Sequence, residues 1–68
     1  MLRLRRIRQK KEITLTRLAV LAKIDPGTLS RLERGLLPAY PGWRKRIASA
    51  LGVPEEELFQ TEEGSEVN

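Results

Sequence analysis

Apolar residues recur along this chain at three- and four-residue steps, the period of an amphipathic helix, and the runs are separated by short polar, Gly or Pro breaks. Five helices and no strand follow. Over residues 2–11, Leu4 and Ile7 fall on one face, with Arg3, Arg5, Arg6, Gln9 and Lys10 on the other. Leu15, Leu18, Ala19 and Ala22 form the second stripe, and Leu29 and Leu32 the third, on a helix running from Pro26 to Arg34. A fourth helix, about Pro41 to Leu51, carries Trp43, Ile47, Ala50 and Leu51 inward and Arg44, Lys45 and Arg46 outward. Gly35 and Gly52 stop the third and fourth helices. Pro54-Glu55-Glu56-Glu57 then opens a short fifth helix, whose Leu58 and Phe59 close the core. Residues 1–59 thus read as one domain, and residues 60–68 as an acidic, disordered tail.

Capping chemistry sharpens the middle of this pattern. Thr14 is an N-cap for the second helix, and Ile13 stands before it to pack on Leu18 as a staple. Three residues after Thr14 comes Arg17 rather than Glu, a cation that opposes the helix dipole by a few tenths of a kcal/mol. The stripe breaks at Lys23-Ile24-Asp25-Pro26, where Lys23 must turn the chain, in a left-handed conformation that costs a non-glycine residue about 1 kcal/mol. Asp25 can cap the next helix, and Pro26 suits its first position, where a missing N–H costs nothing. Ala19 is small enough to let the two helices cross closely. Residues 15–34 are therefore a helix-turn-helix candidate.

Arg8 interrupts the first stripe. It lies one turn beyond Leu4 on the inner side, where an unpaired charge would be costly, so it needs a carboxylate unless it reaches out to water or a phosphate. Glu33, one turn after Leu29 on the inner side of the third helix, is the candidate partner.

Ile13-Thr14, Leu18-Ala19, Thr28-Leu29-Ser30-Arg31-Leu32-Glu33-Arg34-Gly35, Ile47-Ala48, Ala50-Leu51-Gly52-Val53 and Glu57-Leu58-Phe59 occur in an order that resembles the Cro and phage-repressor (Xre-type) helix-turn-helix family. The resemblance runs from Arg3 to Phe59. It departs at three places: Lys23 stands where the family usually has glycine, Leu15 where it often has glutamine, and Pro26-Gly27 in place of a polar pair. The resemblance implies an all-α, five-helix, lambda-repressor-like DNA-binding domain whose helices 2 and 3 form the motif, with helix 3 in the major groove. It also implies the Arg8–Glu33 pair, a backbone phosphate at the amino end of helix 2 beside Thr16 and Arg17, and a transcriptional regulator as the function.

With Leu29 and Leu32 inward, Gly27, Thr28, Ser30, Arg31 and Arg34 lie on or beside the outer face of helix 3. Arg31 can fork onto guanine, Thr28 can offer its methyl to thymine, and Ser30 can donate to a base or phosphate. Gly27 offers backbone alone. With outward-facing Arg44, these residues and Thr16 and Arg17 make up the expected DNA-binding set.

Charge agrees with a polyanion partner. Residues 1–54 hold all 13 Lys and Arg against Glu12, Asp25 and Glu33, a balance of +10, whereas residues 55–68 hold six Glu and no base, −6. A cationic body gains from counterion release on nucleic acid. Cysteine and histidine are absent, so disulfides are excluded and neither the Glu55–Glu57 run nor any Ser or Thr has a histidine with which to build a metal or nucleophilic site. No cofactor, metal or catalytic activity is expected. No apolar run approaches the roughly 18 residues of a membrane span, so no membrane partner is expected and a cytoplasmic location is.

The loop after helix 3 is unusually apolar. The family resemblance implies that Leu36, Leu37 and Tyr40 lie in a homodimer contact that also runs along the DNA backbone phosphates; by their apolar character alone they suit intramolecular packing equally. They also support a rival reading, in which the domain is a protein-interaction adaptor or antitoxin that keeps the fold and binds a protein through these residues and the acidic tail.

Overall fold

A computed structural model describes residues 1–61, and these fold into five helices: α1 (Arg3–Lys10), α2 (Leu15–Ala22), α3 (Pro26–Glu33), α4 (Pro41–Leu51) and α5 (Glu55–Leu58). Each exists because its apolar stripe has something to cover it. α2 packs on both α3 and α4, α1 on α3 and α5, and α4 on α5. Leu4, Leu18, Leu29, Leu32, Ile47 and Leu58, one or two from every helix, are wholly buried at the shared centre.

The helix ends obey local chemistry. Thr14 Oγ1 accepts from the Arg17 amide at 3.1 Å, and Asp25 Oδ2 from the Thr28 amide at 3.2 Å, so α2 and α3 each begin with one otherwise orphaned donor satisfied. Four helices end by turning left-handed. Glu12 (φ 59°), Lys23 (φ 58°), Gly35 (φ 80°) and Gly52 (φ 70°) occupy that conformation. After each, the following amide reaches back across the turn: Ile13 to Arg8, Ile24 to Ala19, Leu36 to Arg31 and Val53 to Ala48, at 2.9–3.2 Å. Lys23 is the expected one of the two non-glycine cases.

Ile24 falls in the break between the two stripes, yet it is buried at 7% exposure. The left-handed turn at Lys23 is what folds it back onto the core, since the residue after such a turn meets the last apolar turn of its helix.

Gln60 and Thr61, read from sequence as the start of a disordered tail, are tied to the N-terminus. Arg3 N–H donates to the Gln60 carbonyl at 2.9 Å, and Leu2 forms an isolated antiparallel bridge with Thr61. Leu2 N–H meanwhile donates to the Glu33 carbonyl at 2.9 Å, giving the end of α3 a donor it would otherwise lack. The rest of the expected tail, residues 62–68, lies outside the described residues.

Candidate nucleic-acid interface

α3 sets the geometry of the candidate surface. Its first turn is held by the Asp25 cap and by Pro26 at the start, and its inner side by Leu29, Leu32 and Glu33, which are buried. At 100° per residue the opposite side belongs to Gly27, Arg31 and Arg34, and all three are exposed. Thr28 and Ser30 flank that side and are half-buried. A Cβ at position 27 would stand 3.1 Å from Asp25 Oδ2, so the bare glycine leaves room for the capping carboxylate.

The amino end of α2 lies in the same motif, with Thr16 and Arg17 exposed beside the Thr14 cap. Among the described residues, Arg17, Arg31 and Arg34 have no carboxylate partner. Three uncompensated guanidinium groups on one motif make a surface that attracts anions.

Arg8 and Glu33 lie behind this surface rather than on it. Arg8 Nε donates to Glu33 Oε2 at 2.6 Å and Nη2 to Oε1 at 3.1 Å, a bidentate fork, while Nη1 donates to the Ile13 carbonyl at 2.8 Å. Residue exposures of 8% and 3% leave the pair largely shielded from water, and the fork satisfies both carboxylate oxygens.

Arg44 departs from the outward position expected of it. It is half-buried on the α5 side of α4, its Nε 3.5 Å from Glu55 Oε1, too long for a well-formed hydrogen bond. The helical period assigns Arg44 to a flank, and α5 is the element that covers that flank, a fact that periodicity within α4 cannot reveal.

The apolar loop divides. Leu37 packs against the core, whereas Leu36 is 61% and Tyr40 56% exposed. Tyr40 meets Trp43 edge to face, ring centres 5.3 Å apart. Val20 and Leu21 on α2, which fall outside the apolar stripe, are exposed at 64% and 45%. Among the described residues no group of His, Asp and Glu is placed to hold a metal ion, and no helix is long and apolar enough to cross a membrane.

A family model described as a helix-turn-helix domain matches residues 2–59. No curated protein matches the chain.

Proposed function

Because the chain belongs to the helix-turn-helix domain family, we propose that it binds duplex DNA sequence-specifically as a small transcriptional regulator. α3 enters the major groove. The observation that carries this reading is the outer face of α3, where Arg31 and Arg34 stand exposed and without a carboxylate partner among the described residues, next to the amino end of α2. Thr16 and Arg17 grip backbone phosphate, Arg31 reads a base edge, Thr28 and Ser30 assist from the flanks, and Gly27 admits the backbone closely. Arg44, drawn toward Glu55, has at most a long-range electrostatic part. No reaction is catalysed; binding in the cytoplasm is the whole activity.

Titration of a random duplex at two salt concentrations tests the electrostatic part, because neutralising several phosphates makes affinity fall by orders of magnitude between about 50 and 200 mM salt. Selection of bound sites from random duplexes then tests specificity. Flat, salt-insensitive binding would refute the reading.

Exposed Leu36 and Tyr40 favour a second surface. They suit a homodimer contact that would place two copies of α3 on successive grooves, or, on the rival reading, a protein partner of an adaptor or antitoxin. Sedimentation of wild type against Leu36→Ser separates these: loss of a dimer indicates self-association, and a monomer throughout leaves the heterologous partner.

A further inference from the structure

Between α1, α2 and α3 the surface sinks into a depression lined by Arg5, Arg8, Leu15, Ser30, Glu33 and Arg34. Three cations and one carboxylate leave it with a net charge of +2. The distribution of that charge matters more than its sum. Arg8 and Glu33 satisfy one another through two hydrogen bonds of 2.6 and 3.1 Å, so both carboxylate oxygens are engaged. The surplus sits on Arg5, from α1, and Arg34, at the C-cap of α3, both exposed. Arg5 Nη1 is 3.2 Å from Met1 Sδ, a weak acceptor that an anion displaces at small cost. Half-buried Ser30 adds a hydroxyl, and Leu15 adds no polar group at all.

We propose that this depression is a phosphate site that takes one phosphodiester of the duplex backbone, with Arg5 and Arg34 closing on it from α1 and α3 and the Ser30 hydroxyl donating from the wall. The proposal rests on the duplex-binding reading and extends it to α1, which the helix-turn-helix motif does not include. Ser30 on the flank of α3 and Arg34 on its outer side also line the depression, so a phosphate held there fixes how α3 sits in the groove next to it. Guanidinium groups suit this ligand because they present paired donors to adjacent phosphate oxygens. The Arg8–Glu33 pair contributes a rigid and internally neutral floor.

The test compares wild type, Arg5→Ala and Lys45→Ala on a random duplex across a salt series. Lys45 is an exposed cation on α4, outside the depression, and controls for net charge. Arg5→Ala is expected to weaken binding about three- to tenfold at low salt and to flatten the salt slope by about 0.9, while Lys45→Ala does neither. Arg5 is exposed, so equal thermal midpoints for wild type and variant establish that the fold is intact. If the two variants weaken binding equally, or Arg5→Ala has no effect while wild type still binds, the site is overturned and duplex binding stands. If wild type binds no duplex, both fall together. Inorganic phosphate provides a separate arm: amide shifts at Arg5 and Ser30 that saturate below about 1 mM, tighter than a lone exposed phosphate contact on this protein warrants, would assign a free-anion pocket instead and overturn the backbone role.

Discussion

Arg8 of α1 and Glu33 of α3, 25 residues apart, meet as a two-pronged fork, Nε to Oε2 and Nη2 to Oε1, in the buried space between their helices. The third guanidinium nitrogen takes the Ile13 carbonyl at 2.8 Å. One side chain thereby joins α1, the turn into α2, and the end of the helix that carries the candidate reading face.

Glu33→Gln keeps the shape and removes the charge, leaving Arg8 buried without a counterion. The expected loss is about 3 kcal/mol, read as a lowered urea midpoint with unchanged slope. Small domains hold only about 0.05–0.15 kcal/mol per residue, so a loss of that size removes a large share of the total. Replacing both partners, as Arg8→Met with Glu33→Leu, should recover most of the loss, since apolar residues of similar volume often replace a buried pair without penalty. A change under about half a kcal/mol in Glu33→Gln would mean that Arg8 is solvated in solution.

Glu12 and Lys23 turn left-handed at φ 59° and 58°, where a Cβ is strained, while Gly35 and Gly52 make the same turn without strain. Lys23→Gly and Glu12→Gly should each stabilise the domain by roughly 0.5–1 kcal/mol, relief of strain outweighing the extra freedom of glycine in the unfolded chain. For a domain of this size that is a rise in Tm of about 2–8 °C. Gly35→Ala should shift Tm the other way. A lower Tm for Lys23→Gly would show that the lysine side chain makes a compensating contact.

These turns also mark how far the fold is legible in sequence. Lys23 could be assigned its conformation because a stripe ends before it and Asp25-Pro26 begins a helix after it. Glu12 has no such bracket, since Lys11-Glu12 reads equally well as the polar end of α1, and only the Ile13 amide returning to the Arg8 carbonyl identifies the turn. Helical phase states whether a residue points in or out, and it correctly sets Leu29 and Leu32 opposite Gly27, Arg31 and Arg34. It does not state which neighbour covers a flank. For that reason Arg44 beside Glu55 and Gln60 hydrogen-bonded to Arg3 both depend on tertiary packing.

Asp25 combines two effects of opposite sign. Its carboxylate caps α3 through the Thr28 amide, and it is an acid at the edge of a cationic surface. Asp25→Ala should cost about 1 kcal/mol of stability, a fall of about 4–8 °C in Tm, by loss of the cap. Random-duplex affinity should nevertheless rise a few-fold at low salt, because a negative charge at the approach has gone. A variant with unchanged Tm would show the cap to be dispensable; one with weaker duplex binding would show that the carboxylate is not repelling the ligand.

Arg31 and Arg17 are both exposed and lack an ion pair among the described residues, so charge alone cannot distinguish their roles. Position can. Arg31 lies opposite Leu29 and Leu32 on the outer face of α3, whereas Arg17 stands in the first turn of α2 beside the Thr14 cap, at the helix end whose dipole favours an anion. If Arg31 forks onto a guanine, Arg31→Ala should cost about 1–3 kcal/mol on a selected site and flatten preference at one base pair per half-site. Arg17→Ala should instead weaken selected and random duplexes alike and lower the salt slope by about one unit per subunit. Both variants measured on both duplexes across a salt series decide the matter. Equal weakening of all sequences by Arg31→Ala would make Arg31 a backbone clamp, and specificity would then have to arise from the shape and deformability of the DNA that α3 enters.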